Sequence, residues 1–172
     1  MSPDLREPNI YLLGFMGAGK STVGPLLARK LATRFYDLDS LIEDAEKSTV
    51  RRIFETKGEN YFRQKETELL IPLTNLRNSV VALGGGTFVQ EANRALIRAT
   101  GISVWLDVPL SLIQKRIQDP LSRPLFRSPR EMEALFQQRL PFYQMADMEI
   151  KIGSESAEQI AERIFARIRQ EL

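Results

Sequence analysis

Gly14-Phe15-Met16-Gly17-Ala18-Gly19-Lys20-Ser21 fits the pattern G-x-x-x-x-G-K-[ST] without a mismatch. The chemistry that such a run performs is the capture of a polyphosphate. Glycines let successive backbone N–H groups curl onto phosphate oxygens, and the N-terminus of a following helix adds a favourable dipole. The run Gly17, Ala18, Gly19, Lys20, Ser21 and Thr22 would therefore cradle the phosphates of a nucleotide such as ATP. Lys20 would neutralise the β- and γ-phosphates, and the Ser21 hydroxyl would ligate Mg2+.

A phosphate loop does not say what is done with the phosphate, so the remaining charged groups must. An acid that closes an apolar strand often supplies a second contact to the cation, and two positions compete for that role. Asp107 follows Val104-Trp105-Leu106 and matches the pattern better, although an isolated strand-end acid ahead of Pro109 is usually structural. Asp37 follows Phe35-Tyr36 and lies two residues from Asp39, so strand alternation turns both carboxylates the same way. Arginines suit an anionic acceptor or a transferring phosphoryl group, because the guanidinium fork matches their oxygens. Arg63 and Glu66 are three apart on a predicted helix, where the acid can hold the guanidinium in place. Arg123 sits in a proline-rich loop where it would fold over the γ-phosphate, and Arg139 precedes Pro141 at a predicted helix end. Gly84-Gly85-Gly86 closes a further strand and leaves room for backbone to approach a ligand.

The elements that must position these groups alternate along the chain. Strands are expected at Asn9 to Leu13, Arg34 to Tyr36, Ser79 to Leu83, Ile102 to Leu106 and Met148 to Ile152. Val23, Leu26, Leu27 and Leu31 recur at helical spacing after the glycine loop, with a local kink expected at Pro25. Ser40 is the expected N-cap of a helix from Leu41, and a polar helical stretch breaking at Lys57-Gly58 reaches about Leu76. Further helices are expected at Glu91 to Thr100, Leu110 to Gln118, Arg130 to Leu140 and Glu155 to Glu171, with Pro141 ending the third. Alternating strands and helices imply an α/β domain whose parallel sheet is covered on both faces, with ligands at the carboxyl ends of its strands.

Bulk composition narrows the chemistry. A chain of 172 residues is the size of one domain, and 43% hydrophobic with 27% charged residues is globular. With 24 Lys and Arg against 22 Asp and Glu, the net charge of +2 argues for neither nucleic acid nor an anionic membrane. Cysteine and histidine are both absent, which excludes thiol nucleophiles, thiolate zinc sites and imidazole bases. Carboxylates, Lys, Arg, hydroxyls, backbone amides and a hard cation are left. No segment has the apolar length of a membrane span, and the polar first residues lack a leader pattern, so the cytoplasm is the expected compartment; no patch argues for a partner, and a monomer is expected.

The combination of Gly14 to Thr22, Asp37-Leu38-Asp39, Phe62-Arg63 with Glu66, Gly84-Gly85-Gly86, Arg123-Pro124-Leu125 and Arg139 with Pro141 and Tyr143 resembles shikimate kinase in order and spacing. The resemblance implies a three-layer P-loop kinase fold with a five-stranded parallel sheet: a core at about 9–37, 78–116 and 130–172, a helical acceptor-binding insertion at about 38–77 and a lid at about 117–129. It implies transfer from ATP to the 3-hydroxyl of shikimate, on the way to chorismate and the aromatic amino acids. It also implies that Asp37 holds Mg2+ with Ser21, and that Asp39 binds the acceptor hydroxyls and takes the proton. Arg63 and Arg139, with the backbone of Gly84, Gly85 and Gly86, would clamp the acceptor carboxylate between walls formed by Phe54 and Phe62. Arg123 would reach the phosphates and Arg116 would lie against adenine. Departures from the pattern are Leu83 in place of a small hydroxyl residue, a short loop after the fifth strand, and Pro25. Alternatives are a P-loop kinase for gluconate or a nucleoside monophosphate, and a nucleotide-binding relative without turnover.

Overall fold

The computed structural model describes residues 8–117 and 128–171 of the chain. Five parallel strands, β1 (Asn9–Leu13), β2 (Arg34–Asp37), β3 (Ser79–Ala82), β4 (Gly101–Asp107) and β5 (Met148–Lys151), form one sheet in the order β2-β3-β1-β4-β5. Central β1 has every residue buried, as a strand covered on both faces requires. Edge strand β5 instead alternates, with Met148 and Ile150 inside and Glu149 and Lys151 outside. Register pairs Leu12 with Ala82 on one side of β1 and with Val104 on the other. The carboxyl ends of β1 and β3, and with them the two glycine-rich turns, therefore emerge side by side.

Helices α1 (Lys20–Lys30), α2 (Leu38–Glu46), α3 (Val50–Asn75), α4 (Glu91–Thr100), α5 (Leu110–Arg116), α6 (Pro129–Tyr143) and α7 (Ala157–Glu171) cover the sheet, with a short 3-10 turn at Thr87–Val89. Helix α1 starts at the motif lysine, turns Val23 and Leu27 into the core and continues through Pro25. It packs beside α7, where Lys30 pairs with Glu162.

Three sequence expectations are corrected. Ser40 does not cap α2: the helix begins at Leu38, and the Asp37 side chain is its N-cap, accepting from the Ser40 backbone N–H at 3.2 Å. The polar stretch after Asp39 is interrupted earlier than expected, because Lys47 takes a left-handed conformation (φ 50) and ends α2; the expected break at Lys57-Gly58 is present as a kink at Gly58 (φ 83) within α3. Pro141 does not end α6, which runs on to Tyr143. A proline costs an established helix one hydrogen bond and some strain, and packing of the buried Arg139 and Tyr143 offsets that.

Candidate active site

The loop after β1 turns on glycines with positive φ at Gly17 (75) and Gly19 (99), a region closed to most side chains. Ala18 N–H donates to the Phe15 carbonyl at 3.1 Å, and Thr22 and Val23 N–H donate to the Gly19 carbonyl. Lys20 is buried, and its ammonium donates to the Gly14 carbonyl at 2.7 Å and the Phe15 carbonyl at 3.1 Å. A desolvated cation is thus held over the mouth of a loop of the kind that binds polyphosphate. Arg116, at the end of α5, donates to the carbonyls of Gly17 (3.2 Å) and Ala18 (3.4 Å) and so brackets the same loop from outside.

At the lip of β2 the Ser21 hydroxyl donates to Asp37 Oδ2, while Asp37 Oδ1 caps α2. A hydroxyl and a carboxylate in contact beside a phosphate loop form a hard-oxygen pair of the kind Mg2+ takes, the rest of its shell coming from water and phosphate. Among the described residues no cluster of three acidic side chains forms a fuller cage. The donor set therefore fits Mg2+ shared with a nucleotide.

Asp39, in the first turn of α2, lines a neighbouring cavity. Its Oδ1 is buried without a hydrogen-bond partner, and burial, with the neighbouring Glu66 charge, pushes its carboxyl up to about 6 against the usual 3.8. Lys20 pulls in the opposite direction, so the acid stands between the phosphate loop and a second, fully buried acid.

Glu66 organises the cavity that Asp39 lines. Its Oε2 takes a hydrogen bond from Arg63 Nη1 at 2.5 Å and its Oε1 one from the Thr87 hydroxyl at 2.7 Å. With Glu66 at 0% and Arg63 at 18% side-chain exposure, this pair is not the weak surface ion pair that its i, i+3 spacing alone would allow. Arg63 also lies over the rings of Phe54 and Phe62, which pack 4.7 Å apart. Across the cavity Arg139 is only 5% exposed and lies over Phe15, and among the described residues it has no acidic ion-pair partner. Arg63, Arg139, Asp39, Met16 and the Gly85-Gly86 backbone all line this cavity, with Val50, Phe54 and Phe62 as its apolar wall. A roomier cavity of about 420 Å³ opens near the amino ends of the strands, between Lys30, Asn78 and Phe165. It lies at the wrong end of a parallel sheet for the phosphate loop.

The absence of side chains at Gly84 to Gly86 is a spatial requirement. A Cβ on Gly84 would sit 2.5 Å from Glu66 Oε1, 2.8 Å from Asp39 Oδ1 and 3.0 Å from Thr87 Oγ1, and on Gly86 2.5 Å from Arg63 Nη2. All three groups around Gly84 are held by packing or hydrogen bonds, so Gly84→Ala is expected to displace both acids. The expected outcome is a KM for the acceptor raised about tenfold or more with ATP affinity unchanged, read from steady-state kinetics with each substrate varied in turn.

The structure therefore gathers Gly17 to Thr22, Asp37, Asp39, Arg63, Gly84 to Gly86 and Arg139 at one end of the sheet, with Arg116 against the phosphate loop. Arg123 lies outside the described residues. Asp107 is elsewhere: it hydrogen-bonds the Glu149 side chain on β5, and burial with that neighbouring acid raises its carboxyl above the ordinary range. The sequence reading gave no role to Thr87, which anchors Glu66, or to Met16 and Val50 in the cavity wall. Thr87 directly follows the glycine triplet, and that adjacency was the available signal.

A parallel sheet with a lysine-bearing phosphate loop after its central strand, and an oxygen pair for a cation beside it, defines a P-loop kinase. The family model for shikimate kinase matches residues 16–169. Two relatives, the shikimate kinases of Persephonella marina and of Sulfurihydrogenibium sp., are 42% identical over 162 residues and 41% over 163. Each alignment covers 94% of this chain, and 99% and 98% of those relatives. The solved shikimate kinase from Acinetobacter baumannii in complex with shikimate superposes with a TM-score of 0.92 at 37% identity, covering 96% of this chain and 94% of that one. This chain belongs to the shikimate kinase family.

Proposed function

We propose that this chain transfers the γ-phosphoryl group of ATP to the 3-hydroxyl of shikimate, giving ADP and shikimate 3-phosphate on the route to chorismate. The observation that carries the choice of acceptor is Arg139, a buried guanidinium with no acidic partner among the described residues, sharing one cavity with Arg63. A buried cation of that kind calls for an anion, and two guanidinium forks facing one space suit a carboxylate. Asp39 lines the same cavity and is within reach of the Lys20 charge, so it would face a ring hydroxyl of an acceptor anchored on the arginines.

In this reading the backbone of Gly17 to Thr22 and the Lys20 ammonium bind the triphosphate and neutralise charge as it develops. Ser21 and Asp37 would hold Mg2+, which when bound neutralises phosphate charge. Asp39 orients the acceptor hydroxyl and accepts its proton as the bond from oxygen to γ-phosphorus forms and the bond to the ADP oxygen breaks. Phe54, Phe62, Val50 and Met16 exclude water from the acceptor ring. Arg123 would complete the charge neutralisation over the phosphates, and Arg116 would bear on adenine. The insertion at about 38–77 would supply Asp39, Arg63 and Glu66, the stretch at about 117–129 would serve as a lid, and the remainder would form the core. A monomer in the cytoplasm belongs to the same proposal. Among the described residues no helix is long and apolar enough to cross a membrane.

The test is ADP release with shikimate, gluconate, nucleoside monophosphates or no acceptor. Turnover confined to shikimate is expected. Turnover on a different acceptor, or ATP binding without turnover on any, would overturn the proposal. Arg63→Ala should raise the KM for shikimate by roughly a hundredfold and leave kcat within a few-fold, because a charge-assisted bidentate contact made equally in ground and transition states is lost.

A further inference from the structure

Gly84-Gly85-Gly86 leaves three consecutive carbonyls to be satisfied inside the protein. The turn beyond supplies two donors: Thr87 N–H to the Gly84 carbonyl and Val89 N–H to the Gly86 carbonyl, each at 3.2 Å. The Gly85 carbonyl takes its hydrogen bond from a side chain 58 positions away, the Tyr143 hydroxyl at 2.5 Å. Tyr143 is the last residue of α6, is 1% exposed, and packs its ring 6.1 Å from that of Trp105 in β4. Its hydroxyl is therefore fixed by both the helix and the sheet. Burial pushes the phenol up to about 12, so it stays a donor across the working range.

One helical turn earlier on α6, Arg139 lies against the same residue, where a Cβ on Gly85 would be 2.8 Å from its Nη1. Arg63 lies against Gly86 in the same manner. The two guanidinium groups of the cavity thus rest on a floor without side chains, and Tyr143 ties that floor to the helix that carries Arg139.

We propose that Tyr143 is a positioning residue for acceptor recognition: through its hydrogen bond to the Gly85 carbonyl it holds the diglycine floor in register with Arg139 and Arg63, and so sets the geometry in which an acceptor carboxylate is gripped. Tyr143 is not among the residues that line the cavity. The inference rests on the acceptor reading above.

The test begins with the unaltered enzyme. Absence of turnover with shikimate would sink the acceptor reading itself, and the comparison below then runs on whichever carboxylated acceptor is turned over. Tyr143→Phe keeps the ring and its packing on Trp105 and removes the hydroxyl, which donates to the Gly85 carbonyl and is hydrogen-bonded by the Arg139 side chain. The expected result is an acceptor KM raised about tenfold, the worth of one part-buried hydrogen bond and the carbonyl it leaves without its donor. In the same variant kcat should stay within about twofold, the KM for ATP should be unchanged, and calorimetric acceptor affinity should fall in parallel with KM. An unchanged acceptor KM overturns the proposal. So does a variant in which both KM values and kcat worsen together, or one that fails to fold, since each marks a general structural role.

Discussion

Replacing Lys20 by alanine is expected to lower kcat by about a thousandfold or more while leaving acceptor affinity within about threefold. The asymmetry follows from where the ammonium is held. It donates to the carbonyls of Gly14 and Phe15, at the mouth of the phosphate loop, and is not among the groups lining the acceptor cavity. Phosphoryl transfer gives the protein little covalent work, so a positive charge on the transferring group is a large share of what it can supply. A thousandfold loss corresponds to about 4 kcal/mol of transition-state stabilisation. Lys20→Arg should recover little, because the buried stem leaves no room for a planar fork and the loop presents two carbonyls spaced for a compact cation. Single-turnover kinetics with bound ATP, beside calorimetric titration of acceptor into the nucleotide-free protein, separates the two effects. A variant retaining a tenth of the rate would remove the phosphate-loop lysine from the mechanism.

What was legible in the sequence was what is encoded locally. The phosphate loop is one contiguous run, so strand, glycine turn and helix could be read directly, and the structure puts α1 at the motif lysine. Arg63 and Glu66 could be paired from helical spacing, yet their burial could not, because it depends on Thr87 arriving from 21 residues away. Asp37 and Ser40 are both good capping types at the start of one helix. The choice fell to Asp37 because β2 ends there and its carboxylate can cap α2 with one oxygen and accept from Ser21 with the other. Pro141 read as a stop because helix propensity is a local quantity, whereas Tyr143 and Arg139 are held by partners on the glycine triplet. Asp107 matched a cation-binding pattern better than Asp37 did. Its outcome was decided by the pairing of β4 with β5, which brings Glu149 alongside it and is invisible in a one-dimensional pattern.

Asp39→Asn should cost kcat about two to four orders of magnitude and, in the metal-free and nucleotide-free protein, make the fold more stable at neutral pH. The acid's Oδ1 is buried without a partner, and Gly84's missing Cβ is the gap across which it and Glu66 Oε1 approach the same point. Burial first, and the Glu66 charge second, raise its carboxyl from 3.8 to about 6. The ionised form is therefore disfavoured by folding. Any stability associated with the protonated acid is fully present below pH 4, declines as pH rises toward 6, and is absent above that. A shift of this size is worth on the order of 2–3 kcal/mol at pH 7 to 8. An asparagine of the same shape carries no charge to desolvate and can donate toward Glu66. Chemical denaturation in the presence of a chelator should thus show the variant exceeding the parent at pH 7.5, with the difference closing as pH falls to 4.5. A variant less stable than the parent by the same margin at every pH would mean that Asp39 is held as a structural acid. A catalytic base would then have to be sought elsewhere around the cavity. The stabilising result would instead identify Asp39 as a group whose buried charge opposes folding and is retained because the acceptor hydroxyl needs a proton acceptor at that point.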